Sequence, residues 1–200
     1  MQIYLQKPVG LKPLYNRQMV DLSMELHIAP TALFNKMCQI ANLETPRIER
    51  IWETYSDNPR KLARAARLLR EMKGFNNASL FYEGVETNES FEKDFKPVSG
   101  SDHLTPVMLI LILDLYFRLT PITMVPETPE VQDLAKLLKL KPREVADVLV
   151  VLQHCDPYLG RKDDFTHLLL APCKEIWRRY GNSDTEELSS YAEQLKEYFK

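Results

Sequence analysis

The run "VMLILILDLYF" (residues 107–117) restricts this chain more than any other stretch. Written as a helix it is apolar on every side, so it has no face to offer water. It is also too short to cross a bilayer, which takes about 20 apolar residues, and it carries Asp114. It therefore reads as a buried core helix that other elements must surround. Asp114 then needs a partner, and Arg118, one helical turn further on, is the natural candidate. Two hundred residues, 44% of them hydrophobic and 27% charged, suit an ordinary soluble chain of one large domain or two small ones.

The nearest material for that surround is "VQDLAKLLKLKPREVADVLVVL" (residues 131–152), which reads as two short helices joined by a tight turn. Leu134, Leu137, Leu138 and Leu140 give the first an apolar face, and Val145, Val148, Leu149 and Leu152 do so for the second. Pro142 suits the second helix's first turn, where a missing N–H costs nothing. Downstream, "YLGRKDDFTHLLLAP" reads as strand, charged turn, strand.

Apolar helix, helix pair and hairpin in that order resemble the winged helix-turn-helix superfamily over residues 104–172, with a longer connection, "TPITMVPETP", before the pair. The resemblance implies a trihelical core with a β-hairpin wing, in which the second helix of the pair enters the major groove of DNA.

The chain also resembles itself. At an offset of 112, "DLSMELHIAPTALFNKMCQI" lies over "DLAKLLKLKPREVADVLVVL", with identities at Asp21/Asp133, Leu22/Leu134, Leu26/Leu138 and Pro30/Pro142. "ERIWETY" (from Glu49) then matches "KEIWRRY" (from Lys174) and uses both tryptophans, while Leu62, Ala66, Leu69 and Met72 recur as Leu188, Ala192, Leu195 and Tyr198. Matches in the same order over three segments indicate an internal duplication of a long module, not a solenoid. The expected fold is mainly α: two helix-turn-helix-like modules, the second with a short β-hairpin wing.

The domains expected are residues 1–75, a helix-turn-helix-like module with a basic helix; 76–103, an acidic linker or loose hairpin of "SLFYEGV" with "SFEKDFKPV"; and 104–200, a winged-helix-like module with C-terminal helices. Asn58 before Pro59, and Ser183 with Glu186, read as helix N-caps. Charge divides along the same lines. Lys and Arg number 12 against 7 Asp and Glu in residues 1–75, 2 against 6 in 76–103, and 12 against 15 in 104–200. A net −2 argues against a protein that coats nucleic acid, and any polyanion would meet the first module.

The outward faces of the paired helices test the DNA expectation. In the second copy, turning about 100° per residue, the side opposite the apolar stripe presents Arg143, Asp147, Val150 and Val151, with Glu144 on the flank. A groove lined by phosphates repels those carboxylates, and valines have few base contacts to make. That face suits a protein surface. The first copy presents Thr31, Asn35, Cys38 and Gln39, with Lys36 nearby. Asn and Gln can pair bidentately with adenine, and Thr can meet a thymine methyl or a phosphate. In "NPRKLARAARLLREM", Leu62, Ala65, Leu69 and Met72 point one way, and Arg60, Arg64 and Arg67 line the other, a stripe able to grip phosphates.

Chemistry is sparse by comparison. Six scattered glycines form no phosphate loop, and His154, Cys155, His167 and Cys173 lack the paired spacing of a zinc site, so neither metal nor cofactor is expected. Three cysteines without framework spacing suit a reducing compartment, and the N-terminus has no signal-peptide core, which points to the cytoplasm and away from membranes. The leading expectation is a non-catalytic regulator that contacts double-stranded DNA through its first module and uses the second for packing or dimerisation. The alternative is a protein-interaction scaffold without DNA binding, similar to the segregation-and-condensation scaffolds that carry two winged-helix domains.

Overall fold

The computed structural model describes residues 1–6, 14–72, 75, 89–159 and 164–200. It divides into two compact units, Met1–Glu92 and Lys93–Lys200. The fold is mainly helical, and among the described residues there is no strand beyond an isolated bridge at Ile28.

The first unit runs α1 (Gln2–Gln6), α2 (Arg17–Leu26), α3 (Pro30–Ala41), α4 (Pro46–Tyr55) and α5 (Pro59–Glu71). A short α6 (Glu89–Lys93) spans the boundary. The second unit continues with α7 (Pro106–Arg118), α8 (Pro129–Leu138), α9 (Pro142–Cys155), α10 (Leu170–Tyr180) and α11 (Thr185–Lys196).

Proline sets most of these starts. It opens α3, α4, α5, α7, α8 and α9, where its fixed φ is helical already and no N–H is missed. Side-chain caps do the rest: Thr45, Asn58 and Thr105 accept from the backbone N–H three residues on. Before α11 the cap is Asp184, which accepts from Glu186 N–H at 2.8 Å, and not the expected Ser183. A carboxylate there also opposes the helix dipole's positive end, which the Ser183 hydroxyl does not.

In the second unit α7 is the axis. Nine of its residues, Val107 and 109–116, are buried, and α8, α9, α10 and α11 all pack on it. Fully burying each large apolar side chain contributes about 1.5–3 kcal/mol. Asp114 is buried too and finds Arg118 Nη2 at 2.8 Å, as its spacing required. Tyr116 donates its hydroxyl to Asp156 at 2.7 Å, and Trp177 packs edge-on to Tyr116 with centroids 5.4 Å apart. Arg179 forks onto both oxygens of Asp94 at 2.7 and 2.6 Å, tying the end of α10 to the segment before α7.

The hairpin wing is not present on the described residues. The first arm is a 3-10 turn, Pro157–Leu159, and the second runs irregularly from 164 until α10 begins at Leu170. The apolar run that looked like a strand becomes a helix start, with Leu169 buried and Leu168 exposed. Phe165 is drawn off to stack on His154 at 3.8 Å, so alternation along the segment is lost. The intended turn, 160–163, lies outside the described residues. The loose hairpin fails on its second arm, which contains α6; its first arm, 79–85, also lies outside them.

Gly100 closes the turn that precedes α7, with φ +89°. A Cβ there would stand 2.8 Å from the Leu168 carbonyl oxygen. Gly100→Ala is expected to destabilise the protein by about 1–3 kcal/mol, since both the backbone region and the space favour glycine. Thermal unfolding reads this out, and a cost below about 0.5 kcal/mol would mean the turn relaxes freely.

Element boundaries recur between the units. Helices α2 and α8 begin at Arg17 and Pro129 and end at Leu26 and Leu138; α3 and α9 begin at Pro30 and Pro142. Each of these boundaries lies 112 residues from its counterpart. The turns match as well: His27 and Lys139 are both left-handed, at φ 55° and 59°. Ile28 N–H donates to Ser23 O at 3.1 Å, as Leu140 N–H does to Ala135 O at 2.9 Å. A left-handed residue after the last turn lets the chain reverse while satisfying the terminal carbonyls.

Candidate functional site

Helix α3 carries the first group of expected DNA-reading residues. Thr31, Asn35 and Lys36 are exposed or half-buried on its outer side, and Gln39 is half-buried. Lys36 Nζ donates to Gln39 Oε1 at 2.6 Å, which occupies the carbonyl that a base would need. The inner side of this helix holds Met37, and Leu33 packs against the Leu26, Ile28 and Phe75 cluster.

Helix α5 carries the second group. Arg60, Arg64 and Arg67 are all exposed. Arg67 lies 3.7 Å from Glu71, an exposed i,i+4 pair worth little. Arg60 and Arg64 have no ion pair among the described residues. Arg70 is committed elsewhere: its Nη2 donates to Glu25 Oε2 at 3.1 Å, fixing the end of α5 to α2.

The apolar side of α5 departs from expectation. Only Leu62 is buried; Leu69 is 46% exposed and Met72 53%. Leu68, which fits neither expected face, is 50% exposed, and Ile51 on α4 is 42%. Helix α4 has no buried residue at all. Helix α1 packs on α5, and its Tyr4 meets the ring of Trp52 at 5.8 Å. A stripe can be apolar by periodicity and still be left partly exposed.

The surface of α5 is thus graded along its length. Residues 60, 64, 68 and 72 form one i,i+4 row, Arg, Arg, Leu, Met; residues 61, 65 and 69 form the next, Lys, Ala, Leu. Along these two rows the first positions are basic and the later ones apolar, while Arg67, Arg70 and Glu71 keep charge near the C-terminal end of the helix. Sequence reasoning passed over Leu68 and Ile51. The signal available was a second leucine beside Leu69, outside the stripe that periodicity explained.

In the second unit, α9 keeps Arg143, Asp147 and Val150 exposed, but Val151 is 1% exposed and belongs to the core. Helices α7, α8 and α10 all pack on α9, so its buried arc is wider than a two-sided projection allows. Glu144 is engaged locally. It accepts from Lys141 N–H at 2.8 Å and pairs with His103 at 2.9 Å. Those interactions, the backbone bond first, hold its carboxyl below the usual range.

Two of the three cysteines are quiet. Burial pushes the Cys155 thiol up to about 11 and the Cys173 thiol to about 12, so both stay protonated near neutrality. Among the described residues His, Cys, Asp and Glu nowhere gather in a group fit to hold a metal ion, and no helix is long and apolar enough to cross a membrane. Compared with known proteins, the chain matches no family model, no curated protein and no solved structure.

Proposed function

We propose that this protein is a non-catalytic interaction scaffold made of two copies of one helical unit, the second packed shut and the first left open to a protein partner. One observation carries the reading. Positions that correspond in the aligned segments differ sharply in cover: Ile176 is 2% exposed and Ile51 42%, while Leu195 is 0% exposed and Leu69 46%. Single exposed apolar residues are ordinary, but Leu68 and Leu69 near the end of α5 and Met72 just after it together mark a binding surface. The coincident helix boundaries and left-handed turns support the duplication on which the comparison rests. This reading keeps the scaffold expected from the sequence and drops its wing.

The test is retention of a partner by the tagged full chain from cells that make it. One protein should copurify in fixed ratio with the wild type and be lost with Leu69→Glu, while Val150→Glu retains it. If the wild type holds no partner at physiological salt, the scaffold reading fails.

A second reading is DNA contact through α3 and α5, favoured by the outward placement of Thr31, Asn35 and Lys36 and by the exposure of Arg60 and Arg64. Binding of this kind releases counterions, so affinity for a mixed-sequence duplex should fall steeply with salt. Replacing Arg60, Arg64 and Arg67 by alanine should lower the log–log slope by about 1 for each phosphate no longer neutralised. No measurable binding at roughly 50 mM salt would reject it.

A further inference from the structure

We draw no further inference here: the strongest candidate, the half-exposed apolar patch of Leu68 and Leu69 near the end of α5 with Met72 just after it, is the surface already assigned to a protein partner, and nothing in the structure shows what covers it.

Discussion

Leu195→Ala is expected to cost about 2–5 kcal/mol of stability, and Leu69→Ala less than about 0.5, although the two leucines correspond in the aligned segments. Leu195 is 0% exposed on α11, which packs along α7. Removing its side chain gives up transfer energy and leaves a cavity in a unit clamped on several sides. Leu69 is 46% exposed and has little burial to lose. Denaturant unfolding measures both. Trp177 reports on the second unit in a Trp52→Phe background, and Trp52 on the first in a Trp177→Phe background, so the units need not unfold together. Equal costs at the two positions would mean that α5 is already covered in the isolated chain. The contrast on which the scaffold reading depends would then be gone.

Much of the architecture follows from local physics, and those parts were legible. A helix apolar on all sides has one stable fate in water, so α7 could be placed at a centre before its neighbours were known. Asn58 before Pro59 carries cap and first-turn chemistry in adjacent residues, and the helix starts there. Asp114 and Arg118 are four apart on one helix, which sets their distance almost independently of the fold.

The misses share a cause, dependence on something remote in the chain. The wing failed because Phe165 stacks on His154 across the end of α9, an arrangement no period in the segment encodes. Val151 falls on the outward side of a helical projection because such a projection assumes one covered side, and α9 has neighbours on three. The open face of α5 was hidden for the opposite reason. Periodicity identifies which side of a helix is apolar and says nothing of whether another element is long enough to reach it.

The ion pair on α7 gives the other large effect. Arg118→Ala is expected to cost roughly 1–3 kcal/mol, below the 3–5 of a wholly buried pair, because half of Arg118 already lies in water. The Asp114 side chain is 5% exposed and that of Arg118 is 51%, with Nη2 2.8 Å from Oδ2 and Nε 3.4 Å from the Asp114 carbonyl oxygen. Taking away the guanidinium leaves a carboxylate in the core with its main source of compensation gone. Adding Asp114→Leu to that variant removes the stranded charge and replaces it with a side chain suited to its neighbours. The double variant should therefore recover to within about 1 kcal/mol of the wild type, or exceed it. Denaturant unfolding across the four proteins of this cycle gives the coupling directly. Additive costs would show that Arg118 does not sustain the charge, and a neutral Arg118→Ala would show that water reaches Asp114 without it. Recovery on adding the leucine would establish that Asp114 sits in the core at a cost to stability, offset by a residue one turn away.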